Sequence, residues 1–234
     1  MPRVNWKQAG VEASLLLIGV LLALLAQAWW EVQNERETIN EYAANLQIEI
    51  TANQEELRKG IQRHEGYIDA GTALIEGMQE PLNPESSPGI KEQITILGYI
   101  GDFRPATSSL ENLVGTGGLG LLESTELQLA ISNYARGIDD HNVVQAENLA
   151  FFLNVFIPFV SDHASLLELD FLPDSMGLPE TSRFDWELNA LTGSLIFENL
   201  VLRRISAETD AKIYAERLLA ISEELQRLLQ AEVY

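Results

Sequence analysis

The sequence predicts an all-α protein. An N-terminal transmembrane helix continues into a long amphipathic helix, and an extracytoplasmic helical bundle follows. Three observations carry this. Apolar residues recur at spacings of three and four along most of the chain, and strict alternation is almost absent. An apolar run, Ala13–Trp30, lies near the start, broken only by Ser14, Gly19 and Gln27. Proline and glycine gather in PLNPESSPG (81–89) and in Leu172–Thr181, where they separate one helix from the next.

Composition bounds function before any element is assigned. Lys+Arg is 15 against 35 Asp+Glu, a net charge of -20. Such a surface repels phosphate backbones, so nucleic acid is not an expected partner. The chain has 234 residues, 46% of them hydrophobic, enough for a real core. Cys is absent, which excludes disulfides, thiolate metal sites and Cys nucleophiles.

The elements follow in order. Residues 1–8 read as a cytoplasmic tail and 9–30 as the transmembrane helix. At 1.5 Å per residue the span covers about 33 Å, the thickness of a bilayer core. Trp6 before it and Trp29 and Trp30 at its end read as a membrane-interface belt. Ala26-Gln27-Ala28 has the small-x-small spacing of a signal-peptidase site. Length does not decide, since Leu15–Leu25 alone fits a signal h-region, but the aromatic belt and Glu12 ahead of the run favour an anchor that is retained. Arg3 and Lys7 precede the span, and Glu31, Glu35 and Glu37 follow it. The positive-inside rule then puts the N-terminus in the cytoplasm and the bulk of the chain in the periplasm of a bacterial inner membrane. At about 100° per residue, Glu12, Leu16, Gly19, Ala23, Ala26, Gln27 and Trp30 share one face, which reads as a membrane-helix interaction face.

Within this segment Glu12, Gly19, Ala23, Trp29 and Glu31, followed by Glu35-Arg36, resemble the N-terminal signature G-E-x6-G-x3-A-x5-W-x-E. That signature marks a large group of uncharacterised bacterial single-span proteins, a domain of unknown function. Val11 stands where the group has Gly. The stretch Ser109–Tyr134 resembles a second block of the same group. The resemblance implies a single-span, mostly helical protein and implies no activity.

Beyond the anchor, 31–80 reads as a long amphipathic helix. Its stripe holds Ile39, Ala43, Leu46, Ile50, Leu57, Ile61, Ile68, Ile75 and Met78, with Asn53 and His64 among them. The rest, 81–234, reads as a helical bundle packed on it. Ile90–Ile100 is a short helix, although Glu92–Ile100 also fits a strand. Ser108-x-x-Glu111 is a capping-box pattern opening a helix over Ser109–Val114. Gly115–Gly120 breaks the chain, and Ser124 or Thr125 caps a helix running toward Asp170, with Pro158 as a kink or break. Asp185–Ala190 is a turn of helix. Leu195–Tyr234 is a last long helix, with Leu202, Ile205, Ile213, Leu218, Ile221, Leu225 and Leu228 on or beside one stripe.

No segment carries a complete catalytic pattern. Gly115–Gly120 has the glycines of a phosphate loop but no Lys beside them, so a helix-ending turn with positive φ is expected. Asp139, Asp140, His141 and Glu147 contain metal-ligand types. Consecutive helical residues diverge by about 100°, so a solvated face is expected instead. His64, on the apolar stripe, reads as a satisfied core histidine. In LAFFLNVFIPFV (149–160), Phe151, Phe152, Phe156 and Phe159 form either the bundle core or a docking surface. Neither cofactor nor metal nor catalytic group is expected. The function this supports is a non-enzymatic, membrane-anchored helical protein acting by protein–protein interaction. Its partners would be the lipid bilayer and other membrane subunits or a second copy, as for an accessory or structural subunit of an energy-converting or transport complex. The alternative is an extracytoplasmic sensor of a small ligand that signals through a partner subunit.

Overall fold

The computed structural model describes residues 6–79, 82–83, 85–115, 117–122, 124–169, 171, 177–179 and 181–232. The side chains of residues 6–14 and of 32, 35, 36 and 232 fall outside this description, and with them the expected roles of Trp6 and Glu12. Most of the loop Leu172–Thr181 also falls outside it.

All regular structure among the described residues is helical. Helix α1 runs unbroken over Trp6–Gly77, about 108 Å at 1.5 Å per residue. Then come α2 (Ser87–Leu97), α3 (Ser108–Gly115), a 3₁₀ turn at Gly118–Leu121, α4 (Thr125–Phe151), a π turn at Phe152–Phe156, α5 (Ile157–His163), α6 (Leu188–Thr192) and α7 (Leu195–Glu232). The 92–100 stretch is helical up to Leu97, so the strand reading of it is dropped.

Three helices build the bundle, and each presents a seam with alternating steps of three and four. On α1 the seam is Ala43, Leu46, Ile50, Asn53, Leu57, Gly60, His64, Tyr67, Gly71 and Leu74. On α4 it is Leu127, Ile131, Tyr134, Ile138, His141, Gln145 and Asn148, continued by Phe152 of the π turn. On α7 it is Phe197, Val201, Arg204, Glu208, Ala211, Ala215, Leu218, Ser222, Leu225 and Leu229. A 3.5-residue repeat keeps one stripe facing a neighbour over many turns, as in coiled coils. The expected α7 stripe is corrected here: Leu202 and Ile213 are exposed, because the seam passes instead through Arg204, Glu208 and Ser222.

Side-chain pairs fix the register. Asn53 meets Tyr134 and Gln145 meets His64, both 81 residues apart, so α1 and α4 run parallel. Arg58 pairs with Glu223, and Lys212 with Glu65, so α7 runs antiparallel to α1. Helix α7 packs along both others. Gly71 lets it approach α1, since a Cβ there would lie 2.5 Å from Ile205 Cγ1.

The core divides into two apolar clusters. The first, toward the long exposed part of α1, joins Leu46, Ile50, Leu57, Ile131, Tyr134, Leu218 and Leu225. The second joins Leu74, Ile94, Leu97, Phe152, Phe156, Leu169 and Phe197. Each fully buried Leu or Ile contributes roughly 1.5–3 kcal/mol.

The Phe-rich segment resolves between its two readings. Phe152, Phe156 and Val160 are core, Phe151 and Phe159 are half-buried, and Leu153 and Val155 stay exposed. Pro158 neither breaks nor ends the helix. Its ring would strike the carbonyl of residue 154, four back, in a regular helix. The wide turn ahead of it removes the clash, with the Ile157 N–H reaching Phe152 O, five residues back. The helix then ends at His163 rather than running toward Asp170.

Caps are supplied partly by expected residues. Ser124 accepts from Leu127 N at 3.1 Å, and Gly117 takes φ 75° at the break before the 3₁₀ turn. In place of the capping box expected at Ser108, Thr107 Oγ1 donates to Glu111 Oε1 at 2.7 Å and Glu111 N donates to Thr107 O. The orphan N–H groups of α3 go instead to a distant acceptor, Glu49 on α1, whose carboxylate accepts from Ser109 N at 2.7 Å.

Candidate functional site

Two features stand out from a plain apolar bundle. The first is the apolar stretch of α1. Leu15, Leu16, Leu17, Leu21, Leu22, Leu24, Leu25, Trp29 and Trp30 are all more than half exposed. Gly19, Ala23, Ala26 and Gln27, from the expected interaction face, are exposed as well. Gln27 Nε2 donates to Glu31 Oε1 at 3.0 Å, so this amide has a partner within its own helix. Among the described residues, no part of the bundle covers this segment.

The second is a buried polar layer between the two apolar clusters. Arg204 and Glu208, one turn apart on α7, are both 0% exposed, and Nη1 lies 2.5 Å from Oε1. Asn148 on α4 ties them together: its Oδ1 accepts from Arg204 at 2.8 Å and its Nδ2 donates to Glu208 at 2.9 Å. His64 Nδ1 binds the other Glu208 oxygen. Gln145 Nε2 donates to His64 Nε2 at 3.2 Å, which leaves the ring proton on Nδ1, facing the carboxylate. The Arg204 guanidinium sits between the rings of Tyr67 and Phe152, at 5.3 and 4.9 Å.

The electrostatics follow from this packing. Burial alone would raise the Glu208 carboxyl. The hydrogen bonds from His64 and Asn148 and the charge of Arg204 outweigh it and hold the group below the usual carboxylate value. Burial lowers Arg204 from its ordinary value, opposed by Glu208 and Tyr67. Burial also lowers His141, opposed by a bond to Phe103 O and by Asp102.

The layer does more than neutralise itself. An extended strap, residues 98–107, descends over the bundle from α2 to α3, and seam side chains hold it at three levels. Arg204 Nη2 donates to Tyr99 O at 2.9 Å, and His141 Nε2 to Phe103 O at 3.3 Å. Asn53 grips both polar groups of Ala106, donating to its O and accepting from its N at 2.9 Å each. Asn53 also donates to the Tyr134 hydroxyl, whose pKa burial pushes up to about 12, against that bond. A segment without secondary structure carries backbone donors and acceptors that must be met when buried. Here the polar seam positions meet them.

The sequence-predicted residues therefore separate. His64 is buried and hydrogen-bonded within the layer. Asp139, Asp140 and Glu147 are exposed, but His141 is not on the solvated face expected for it: it is 1% exposed and faces the strap. Among the described residues no three His, Cys, Asp or Glu are placed to hold a metal ion. Arg204, Glu208, Gln145 and Asn148 were not singled out by the sequence reading. The signal was present, since Phe197, Val201, Ala211, Ala215 and Leu218 set a seam into whose register Arg204 and Glu208 fall.

No protein-family model, no curated protein and no solved structure matches this chain. The likeness of its N-terminal signature therefore brings no activity or partner to it.

Proposed function

We propose that the protein is a membrane-anchored, non-enzymatic helical subunit that acts by binding other proteins. The observation that supports this is the Leu15–Trp30 segment, apolar and open on every side, in one unbroken helix with the bundle. In water such a surface is costly at about 25 cal/mol per Å², and lipid or a partner helix would cover it. Leu15–Glu31 is a shorter apolar stretch, and among the described residues Thr125–His163 is the one helix long and apolar enough to span a bilayer, with mean hydropathy 1.6. It is the weaker choice, because it turns Ile131, Tyr134 and Phe152 into the core and leaves Asp139, Asp140 and Glu147 outside.

In this reading Arg3 and Lys7 keep the N-terminus in the cytoplasm and the acidic bundle stands in the periplasm. The polar layer serves as a latch for the strap and not as a catalytic centre. Its charges are matched to one another and to the Tyr99 carbonyl. The recess next to it, lined by Asp102, Arg104, Asn142, Gln145, Ala146 and Leu149, holds 180 Å³. Ligand pockets hold roughly 300–1,000 Å³, a range reached by the 420 Å³ hollow on the Asn148 side, lined also by Phe151, Arg203, Ala207 and Tyr214, so the small-ligand sensor stands as the second reading.

The test is flotation after an alkaline wash. The full chain rises with the lipid, and a chain lacking residues 1–31 stays in the soluble fraction. A C-terminal alkaline phosphatase fusion is active and a green fluorescent protein fusion dark. The opposite pair of fusion results sinks the orientation. Intact mass shows no cut after Ala28, and a mature chain starting at Trp29 ends the anchor reading.

A further inference from the structure

We infer that His141 makes the strap a pH-operated cover. With the imidazole neutral the strap is held down over the space between α1 and α4, and with the imidazole charged it lifts while the three-helix seam stays packed. This concerns the bundle alone and does not rest on the membrane reading.

The strap is built as a separate part. Helices α1 and α4 each pack along α7, and side chains bridge α1 to α4, Asn53 to Tyr134 and Gln145 to His64. Residues 99–107 have neither helix nor strand; Asp102 and Arg104 are exposed, Phe103 is half-buried and Pro105 buried. Three side chains tether it: Arg204 at Tyr99, His141 at Phe103 and Asn53 at Ala106. Asn53 cannot titrate, and Arg204 is matched by Glu208. The middle tether is an imidazole, the side chain whose ordinary value lies near neutral pH.

The surroundings of His141 leave a second proton without an acceptor. Phe103 O can only accept, so the neutral ring carries its proton on Nε2. Nδ1 is buried and, among the described residues, has no hydrogen-bond partner. In the register of Asn53 with Tyr134, His141 stands level with Gly60 of α1, and in that of Asn148 with Arg204 it stands level with Ala211 of α7. Neither carries a polar side chain. The Phe103 ring covers the imidazole, centroids 6.2 Å apart. The charged and titratable groups around it are Asp102 and Arg104 on the strap, Arg63 and His64 on α1, Arg204 and Glu208 on α7, and Asp139 and Asp140 on α4. The α7 pair and His64 are spent on the polar layer, and Asp139 and Asp140 are exposed. Arg63 packs under the strap, where a Cβ on Gly101 would lie 2.7 Å from its Nε. Asp102 and the Phe103 carbonyl favour the charged ring, and burial outweighs them.

An imidazolium with one N–H unmet is costly in such a place, and water relieves it. The recess lined by Asp102, Arg104, Asn142 and Gln145 already opens at the edge of the strap. Lifting the strap extends that recess over His141 and wets the polar side chains between α1 and α4. The direction follows from proton counts. Closed, the ring titrates below its ordinary 6.5; open, it titrates at about that value. Below about pH 6.5 the open strap binds more protons than the closed one, and opening gains by up to about tenfold per pH unit.

The test is hydrogen exchange of the full chain in mild detergent, read at the Ala106 amide that Asn53 holds and corrected for the chemistry of a free amide at each pH. From pH 7.5 to 5.5 the corrected exchange rises roughly three- to tenfold. It exceeds that of the α7 amides around Leu218 at both pH values. It also responds far less to dilute urea, as an opening smaller than unfolding does. In His141→Gln the rise disappears, since the carboxamide still donates to Phe103 O and takes up no proton. No rise in wild type overturns the proposal, and so does an equal rise in His141→Gln. An Ala106 amide with the rate and urea response of Leu218 overturns it as well, because the strap would then open only as the whole bundle unfolds. The first and last of these are read on wild type alone, whether or not His141→Gln folds.

Discussion

Arg204 Nη1 lies 2.5 Å from Glu208 Oε1 with neither residue exposed, in the middle of a seam that is otherwise mostly apolar. A buried pair of this kind adds little over a well-packed apolar replacement, but removing one partner leaves the other charge stranded. Arg204→Met therefore destabilises the bundle by about 3–5 kcal/mol, read as a lower urea midpoint. It also removes the donor to Tyr99 O and to Asn148 Oδ1. Arg204→Met with Glu208→Leu is less costly than Arg204→Met alone. A single variant as stable as wild type would show that the pair is not buried in solution.

Acid should loosen the same region, in two stages. His141 is held below its usual value of 6.5, so the unfolded chain binds its proton first and stability falls as pH drops below about 6.5. Glu208 is also lowered, so its contribution is complete above the unfolded value of 4.5 and fades as pH falls below that. His141→Gln keeps a donor for Phe103 O and does not titrate. Denaturation between pH 7.5 and 5.5 should then show a flatter pH slope than wild type. Equal slopes would remove His141 as the source.

The strap offers a local readout. Asn53 supplies both hydrogen bonds of Ala106, and each stranded buried group costs about 1–3 kcal/mol. In Asn53→Leu the amide of Ala106 loses its hydrogen-exchange protection. Amides of α7 around Leu218 keep theirs relative to one another. Uniform loss of protection would mean that Asn53 supports the whole bundle and not the strap.

Much of this architecture is legible in the sequence, and what is not has a common cause. Helix α1, a break ahead of α2, the turn at Gly117, the Ser124 cap and the length of α7 follow from local spacing and turn residues, although α2 opens at Ser87 and takes in the last three residues of the expected 81–89 break. The polar layer does not, because a reading that searches for apolar stripes passes over Arg204, Glu208 and Ser222 and accepts Leu202 and Ile213 in their place. Extending the 3-4 rhythm of Ala211, Ala215 and Leu218 backwards lands on Glu208 and Arg204 and would have found them. Glu49 as the acceptor for α3 could not be found this way, since it lies 60 residues from Ser109 and only the packing of α1 against α3 joins them. The strap has no periodicity at all, and its position is set by the side chains that bind it.

Gly98 marks where the strap begins. Its φ of -77° suits any residue, so the backbone does not demand glycine. Contact does: a Cβ would fall 1.5 Å from Phe171 Cε1. Gly98→Ala displaces the Phe171 ring, which stands edge-on to Tyr99 at 6.2 Å, and lowers the melting temperature. Adding Phe171→Ala should make the Gly98→Ala change harmless, so the double variant is no less stable than Phe171→Ala alone. If the double variant loses as much again, the penalty lies in the turn and not in the contact.

The last prediction concerns the exposed part of α1. Leu16, Gly19, Ala23, Ala26, Gln27 and Trp30 lie along one face of an unbroken helix, and Leu17 lies off it. Small residues allow close helix approach in lipid, where packing and not water drives association. Gln27, already bonded to Glu31, adds little pull of its own. Shape at Gly19, where a Cβ meets nothing in the single chain, is then the sensitive point. Gly19→Ile should reduce capture of a membrane partner in mild detergent, while Leu17→Ile should not, with both variants floating with lipid. If Gly19→Ile leaves every captured protein in place, the anchor only tethers, and recognition belongs to the bundle.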